Sequence, residues 1–164
     1  MNDEIAARLA ALSLHLPVQR PPRFAYLPST RHGDVAYFSG KTTIVDGQVR
    51  HPGRLGAEVS LADGQAAARI ATLNLLAAVE ADVGLEHVVQ ILKVTGFVAS
   101  ADGFVDQPTV IDAASQLLID VLGDPGRHAR SAVGVAWLPG NTPVEIEAVV
   151  ALRPDFAQPE ERAE

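Results

Sequence analysis

The hydrophobic pattern of the chain alternates between short β-branched stretches and two long stretches that are rich in Ala and Leu. The first long stretch follows Ser60, repeats its apolar residues at helical spacing and stops at Gly84. Ser60 and Asp63 have nearly the spacing and chemistry of a capping box, and a glycine commonly ends a helix. The pattern predicts a helix from Ser60 to about Val83, and its many alanines indicate close packing against a sheet.

A second long helix is predicted from Asp106 to about Leu122. Asp106 is placed to cap this helix, and Pro108 falls in the first turn, where a proline costs no helical hydrogen bond. Gly123 follows the last apolar residue and is expected to end the helix.

The N-terminal segment carries a shorter helical pattern followed by a connector. Asn2 or Asp3 can cap this helix, which is expected to run through Ser13. The segment His15–Arg23 contains three prolines, so we expect it to be extended.

The remaining apolar stretches are short and rich in β-branched or aromatic residues, which is typical of strands. Asp46-Gly47 is a favourable pair for a tight hairpin turn. The predicted strands are Phe24–Leu27, Asp34–Ser39, the two arms of Thr42–Val49, Val88–Ala99, Ser131–Leu138 and Val144–Leu152.

Without the first helix, the order of elements is ββαβαββ. This order predicts an α+β fold with one mixed sheet and both long helices on the same face. The other face would be uncovered, and we expect it to meet other subunits. We divide the chain into an N-terminal helix with its connector (1–23), one domain (24–154) and a flexible tail (155–164).

Composition excludes several classes of protein. The formal net charge is −7 and only Lys41 and Lys93 are lysines, so a general nucleic-acid-binding surface is not expected. The chain has no cysteine for a disulfide or thiolate metal site, and its histidines lack the spacing of a zinc site. With no signal-peptide pattern and no long apolar span, we expect a cytoplasmic protein that does not enter the membrane.

Four segments between Tyr26 and Leu152 carry a distinctive set of motifs. They are Tyr26 with Ser39-Gly40 thirteen residues later, Gln65-Ala66-Ala67 through Asn74-Leu75-Leu76, Lys93–Val98 leading to Phe104, and Ala129-Arg130-Ser131-Ala132-Val133 followed by Leu138-Pro139 and Val144-Glu145-Ile146-Glu147-Ala148. In this combination the chain resembles the RidA/YjgF family. The stretch Gly126–Gly134 and the N-terminal helix are similar to a branch of the family distinct from its best-known deaminases.

The resemblance implies a chorismate-mutase-like fold and a homotrimer with small-molecule clefts between subunits. Deaminases of this family hydrolyse reactive 2-imino or enamine acids to 2-oxo acids and ammonia, without a metal or an organic cofactor. Older family names refer to an endoribonuclease or an inhibitor of translation.

The same resemblance assigns candidate site residues. Arg130 matches the arginine that holds the carboxylate of the ligand, a role suited to a planar guanidinium that can form two parallel hydrogen bonds. Glu145 matches the glutamate that orients the attacking water. We select Glu145 rather than Glu147, which we expect to face the opposite side of the strand.

The resemblance also assigns residues that contact the ligand. Tyr26 and Ser39 match ligand-contacting residues, and Gly40 would allow close approach to its backbone. For Tyr26 and Ser39, ordinary structural roles, as a packing residue and a strand-end hydroxyl, remain the alternative.

Three further positions of the expected cleft depart from the deaminase pattern. Asp112 stands where Asn is usual, Ala132 where Cys is common and Lys41 where Gln is usual. Ser115 is a fourth departure, since a Tyr is common at its position. These departures favour a second hypothesis, a binding or regulatory trimer that holds a small carboxylate without turnover. A third, RNA cleavage, is less compatible with the acidic net charge.

Overall fold

The structure is a computed structural model that describes residues 1–19, 21–22 and 24–154. Within these ranges the chain forms three α-helices, seven strands and three single 3₁₀ turns. The helices are α1 (Asp3–Ala11), α2 (Leu61–Asp82) and α3 (Gln107–Leu122), and the strands are β1 (Ser29–His32), β2 (Val35–Lys41), β3 (Ile44–Val45), β4 (Gln48–Val49), β5 (Val88–Ala99), β6 (Ala129–Val135) and β7 (Val144–Leu152). In the described part of the chain, no helix combines the length and apolar character needed to cross a bilayer.

Five of the strands form one mixed sheet in the order β1-β2-β7-β5-β6. Only β5 and β6 run parallel among the paired strands of this sheet, and α3 connects them, as a parallel crossover requires. The strands β3 and β4 form a separate hairpin, in which Asp46 and Gly47 both have positive φ angles, of 53° and 81°. This geometry confirms the predicted Asp46-Gly47 turn.

Both long helices pack on one face of this sheet, as predicted. They contact one another, α2 lies over β2 and β7, and α3 lies over β5 and β6. The central strand β7 alternates strictly between buried and half-buried positions, because side chains along a strand point to opposite faces in turn. Its buried residues, which face the helices, are Val144, Ile146, Ala148, Val150 and Leu152.

The two long helices begin in different ways. The Ser60 side chain accepts a hydrogen bond from the backbone N–H of Asp63 at 3.1 Å and donates one to the Asp63 carboxylate at 2.7 Å, so the predicted cap of α2 is confirmed. Asp106 precedes α3, but its side chain makes no capping hydrogen bond. Instead, Gln107 Nε2 donates to the carbonyl of Phe104 at 2.8 Å, which ties the start of α3 to the preceding loop.

The first strand lies later in the chain than the pattern predicts. The backbone N–H of Tyr26 bonds the carbonyl of Phe24 at 2.8 Å, so Phe24–Leu27 contains a tight turn and cannot extend along β2. Pairing begins only after Pro28, and the strand that pairs with β2 is Ser29–His32. The predicted strand over Phe24–Leu27 is therefore wrong.

The other boundaries differ by smaller amounts. Strand β6 occupies Ala129–Val135 rather than Ser131–Leu138, because its ladder with β5 ends where Ala99 pairs with Val135. Asn2 caps α1 by accepting a hydrogen bond from Ile5 N–H at 3.0 Å, but the helix ends at Ala11 instead of Ser13. The predicted tail, 155–164, lies outside the described residues, as do Arg20 and Arg23 of the connector.

A glycine in β5 determines how closely α3 can approach the sheet. A Cβ atom built on Gly96 would lie 2.6 Å from Cδ1 and Cγ1 of Ile111, which is fully buried in α3. The residue after Ile111 is Asp112, so this close approach also places the polar face of α3 beside β6.

We predict that Gly96→Ala destabilises the protein by about 1–3 kcal/mol, because the added methyl group would force the fully buried Ile111 out of its packed position. Gly134→Ala is the matched control on β6, since its Cβ would meet the flexible end of Gln107 at 2.6 Å. We expect the control to lose less stability in urea unfolding. Equal losses for the two variants would contradict the close-packing argument.

Candidate ligand-binding site

Arg130 lies on β6, at the edge of the sheet beside α3. It is in register with Val94 of β5, whose side chain is buried, so the side chain of Arg130 projects from the helix-covered face. Its side chain is 24% exposed. Nη1 contacts Asp112 Oδ1 at 3.3 Å and donates to Ser115 Oγ at 3.0 Å, and Nη2 donates to the Pro108 carbonyl at 3.4 Å.

The two side chains that contact Arg130 come from one face of α3. Asp112 and Ser115 are three residues apart, which places them on neighbouring turns of the helix. The Asp112 side chain is 75% exposed. The arrangement therefore combines a largely covered guanidinium with a carboxylate that remains open to solvent.

Ser115 links Arg130 to a histidine through hydrogen bonds. His128 Nδ1 lies 2.6 Å from the Gly126 carbonyl, which can only accept, so this nitrogen carries a proton. The Nε2 atom of neutral His128 is then an acceptor, and the Ser115 hydroxyl donates to it over 3.0 Å. Ser115 Oγ is left to accept from Arg130, and the chain of hydrogen bonds fixes the orientation of the guanidinium.

Neutral His128 is consistent with its surroundings. Burial lowers the pKa of His128, the hydrogen bond to Gly126 offsets part of this change, and the positive charge of Arg130 lowers the pKa further. We call Asp112, Ser115, His128 and Arg130 the β6-edge group.

The sequence predicts Ser115 only as a departure from the deaminase pattern in the expected cleft, and it does not predict that Ser115 or His128 joins Arg130. Spacing provides the signal that could have identified them: Ser115 lies one helical turn after Asp112, and His128 lies two residues before Arg130 along an extended backbone. Ala132, a predicted ligand-contacting residue, lies two residues after Arg130 on the same face, but it packs against the hydrophobic core.

Glu145 lies on β7 and faces the uncovered side of the sheet, beside Gly40 of β2. A Cβ atom on Gly40 would overlap the carboxylate, because it would lie 1.9 Å from Glu145 Oε1. Glycine is thus required for Glu145 to occupy this position. Burial raises the pKa of Glu145, and the nearby charge of Glu147 adds to the rise.

The expectation that Glu147 faces away from Glu145 is wrong. Residues two apart in a strand point to the same face, and both glutamates alternate with the buried residues of β7. Glu145 is in register with Phe97 and Glu147 with Thr95 on neighbouring β5. The like charges of the two carboxylates therefore interact across the same surface.

Three other predicted residues, Ser39, Lys41 and Tyr26, lie on β2 or on the segment that Ser39 contacts. Ser39 Oγ donates to the Leu27 carbonyl at 2.7 Å, which holds the segment that contains Tyr26 against β2. Tyr26 is 49% exposed. Lys41 is half-buried and in register with Ile146, and burial lowers the pKa of Lys41. The register with buried Ile146 turns Lys41 toward the helix-covered face, away from Glu145. We call Tyr26, Ser39, Gly40 and Glu145 the β2-edge group.

One chain does not bring the β6-edge group and the β2-edge group together. Arg130 is level with Ala148, three residues from Glu145 along β7 and two strands across the sheet. Strand geometry puts their backbones on the order of 14 Å apart. Their side chains also leave opposite faces, so Arg130 and Glu145 of the same chain cannot contact one small ligand.

Polar residues also occupy the uncovered face itself. Lys93 Nζ donates to Ser131 Oγ at 2.7 Å. A shallow cavity of about 120 Å³ is lined by Tyr37, Phe38, Lys93, Thr95, Glu147, Ala148 and Val149. Among the described residues, no group of three or more His, Asp or Glu side chains is arranged to hold a metal ion.

Comparisons with known proteins agree over most of the chain. The family model described as "YjgF/chorismate mutase-like, putative endoribonuclease" matches residues 6–152. Protein TCP17 of Trypanosoma cruzi is 37% identical over 153 residues, which cover 92% of this chain and 96% of that protein.

Two solved structures differ in how well they superpose. Atu1372 of Agrobacterium tumefaciens, a protein of unknown function, is 42% identical and has a TM-score of 0.86 over 92% of this chain and 94% of its own. TdcF of E. coli with bound serine is 26% identical and has a TM-score of 0.56 over 84% of this chain and 92% of its own. The chain is therefore more similar to Atu1372 than to TdcF in both sequence and structure.

We predict that Arg130→Met raises the pKa of His128, because a nearby positive charge is removed. Arg130→Lys is the control, since it retains the charge and should leave the pKa of His128 closer to its wild-type value. NMR titration of the His128 ring protons measures both. An unchanged pKa in Arg130→Met would show that the two residues are not coupled.

We predict that Glu145→Gln raises the melting temperature at neutral pH. A carboxyl with a raised pKa binds more protons in the folded than in the unfolded state, so its destabilising contribution grows as the pH rises from about 4.3, the ordinary pKa of glutamate. The increase in melting temperature should shrink when unfolding is measured below about pH 4.3.

Glu58→Gln serves as the control of opposite sign. The backbone N–H of Arg54 bonds the Glu58 carboxylate at 2.9 Å and lowers its pKa, so this substitution should reduce stability at neutral pH. A Glu145→Gln variant that melts at a lower temperature than wild type at neutral pH would contradict the prediction for Glu145.

Proposed function

Because the chain belongs to the RidA/YjgF family, we propose that it is a cofactor-independent hydrolytic deaminase of 2-imino and enamine acids. The observation that carries the proposal is the retention of both expected groups in suitable surroundings. Arg130 is oriented by a network of hydrogen bonds, and Glu145 is a partly buried carboxylate with a raised pKa. In this proposal the first binds the carboxylate of the substrate and the second directs water.

The reaction requires little more than these two groups. Water adds to the imine carbon, ammonia leaves, and the product is a 2-oxo acid: R–C(=NH)–COO⁻ + H₂O gives R–C(=O)–COO⁻ + NH₃. Glu145 would take a proton from the attacking water and return it to the departing nitrogen. A carboxylate whose pKa is raised toward the working pH is better suited to both transfers.

We further propose that each complete site forms between two subunits of a homotrimer. Arg130 and Glu145 of one chain lie on opposite faces of the sheet, so a shared ligand needs Arg130 from one subunit and Glu145 from its neighbour. Two different surfaces that meet in this way form a head-to-tail contact, and such contacts form a ring when the rotation between successive subunits closes, as it does in a trimer. The uncovered sheet face, with Tyr37 50% and Val133 40% exposed, is the surface we propose for this contact.

A second candidate is a protein that binds a small carboxylate without turnover. One observation favours it: Arg130 already contacts the carboxylate of Asp112, at 3.3 Å. The relative TdcF was solved with bound serine, which is a small carboxylate ligand. RNA cleavage, to which the family description refers, finds less support because the net charge is −7.

We predict that the wild-type protein accelerates ammonia release from imino acids that an amino-acid oxidase generates in the assay. Arg130→Ala and Glu145→Ala should each lower the rate by at least about 100-fold, since each removes one required group. Arg127→Ala is the matched control, because this arginine is three residues from Arg130 and its side chain is 68% exposed. A wild-type rate equal to the blank across several imino acids would exclude the deaminase and leave the binding protein.

We predict that mixing the two inactive variants restores part of the activity. In trimers assembled at random from equal amounts of Arg130→Ala and Glu145→Ala chains, about a quarter of the interfaces combine an intact Arg130 with an intact Glu145. Activity should therefore return to about a quarter of the wild-type value after co-refolding. No recovery in mixed trimers, with each variant folded, would place both groups in the same subunit.

A further inference from the structure

The charge balance beside Arg130 distinguishes among ligands that carry a carboxylate. Arg130 contributes one positive charge and Asp112 one negative charge, and their closest atoms are 3.3 Å apart. The other acceptors of the guanidinium, Ser115 Oγ and the Pro108 carbonyl, are neutral. Neutral His128 adds no charge, so the β6-edge group is close to electroneutral before any ligand binds.

A simple anion is poorly matched to this arrangement. A ligand carboxylate that bonds Arg130 must lie close to Asp112, and the two negative charges repel one another. The repulsion is strongest where the site is shielded from solvent and weakest where the ligand leaves Asp112 in water. A ligand that carries a cationic nitrogen beside its carboxylate converts the repulsion into an attraction.

The exposure of Asp112 allows it to act in this way. Its side chain is 75% exposed, and only one contact with Arg130 occupies the carboxylate among the described residues. The oxygen atoms that are not used by Arg130 can accept hydrogen bonds from an N–H group of a ligand. The guanidinium of Arg130 and the carboxylate of Asp112 are adjacent in the site. The opposite charges of the ligand must be equally close, as they are in a molecule with one carbon between its charged nitrogen and its carboxylate.

We propose that the Asp112–Arg130 pair selects α-iminium and α-ammonium carboxylates over 2-oxo and 2-hydroxy carboxylates. The inference rests on the proposed function, because that proposal places the carboxylate of the ligand on Arg130. It adds the charge state of the substrate: the site takes the zwitterion, with the carboxylate on Arg130 and the cationic nitrogen on Asp112.

This preference favours both the binding of the substrate and the release of the product. The protonated imine is the more electrophilic form, and its hydrolysis is R–C(=NH₂⁺)–COO⁻ + H₂O to R–C(=O)–COO⁻ + NH₄⁺. The 2-oxo acid has lost the positive charge that faced Asp112, so the attraction that held the substrate becomes a repulsion that favours product release.

The test compares three ligands that share one carbon skeleton: 2-aminobutyrate, 2-hydroxybutyrate and 2-oxobutyrate. Isothermal titration calorimetry measures the affinity of each for wild type, Asp112→Asn and Asp120→Asn. Asp120 is the matched control, since it lies on α3 eight residues from Asp112 and its loss changes the net charge equally. Thermal unfolding of each variant establishes that it is folded.

We expect wild type to bind 2-aminobutyrate more tightly than the other two ligands. Asp112→Asn should reduce this preference by about three- to tenfold, while Asp120→Asn leaves it unchanged. The preference should also weaken as salt is added. Equal affinity of wild type for the three ligands, failure to bind any of them, or a preference that survives in Asp112→Asn would overturn the inference.

Failure of the proposed function gives a different result. A zwitterion preference that depends on Asp112, with no ammonia release from any imino acid, would refute the deaminase and retain the inference for a binding protein. If wild type releases ammonia from imino acids and the zwitterion preference is unchanged in Asp112→Asn, the inference is refuted while the proposed function stands.

Discussion

The two-residue repeat of β7 determines which chemistry each face of the sheet can carry. Every second side chain of this central strand is buried on the helix-covered face, mainly beneath α2, so the residues between them must all emerge on the uncovered face. Glu145 and Glu147 are therefore committed to the uncovered face as soon as the core residues are buried. A shift of the strand by one residue would bury both carboxylates and expose the core.

The same constraint separates Arg130 from Glu145 within one chain. Arg130 is in register with a core residue of β5, so it must emerge on the side of the helices and can be reached only at the edge, where α3 leaves it partly open. Glu145 is held on the other face by its packing against Gly40. Neither side chain can cross the sheet, so the shared site proposed above requires Arg130 and Glu145 from different subunits.

Much of the fold could be predicted from the sequence because its signals are local. The Asn2 and Ser60 caps, the Asp46-Gly47 turn and the long helices follow from residues close together in the chain, and the predicted chorismate-mutase-like α+β fold is confirmed. The first strand could not be placed, because Phe24–Leu27 has the composition of a strand and only the turn between Phe24 and Tyr26 prevents pairing.

The candidate site could be predicted only in part, because sequence signals are local while the contacts of the site join distant parts of the chain. A motif identifies Arg130 and Glu145, but it does not state what each side chain contacts in space. The contacts of Arg130 depend on how closely α3 approaches β6, and that distance is determined by Gly96 packing against Ile111. Ser115 and His128 join the group through this packing, so their spacing in the chain is consistent with a place beside Arg130 but does not give their contacts.

The departure from the deaminase pattern at Asp112 has a consequence that depends on its neighbours. An Asn at this position would leave the β6-edge group with the full positive charge of Arg130, because Ser115, the Pro108 carbonyl and neutral His128 supply no negative charge. With Asp112, the negative charge of its carboxylate balances the positive charge of Arg130. A ligand without net charge preserves this balance, because it brings a cation to Asp112 and an anion to Arg130.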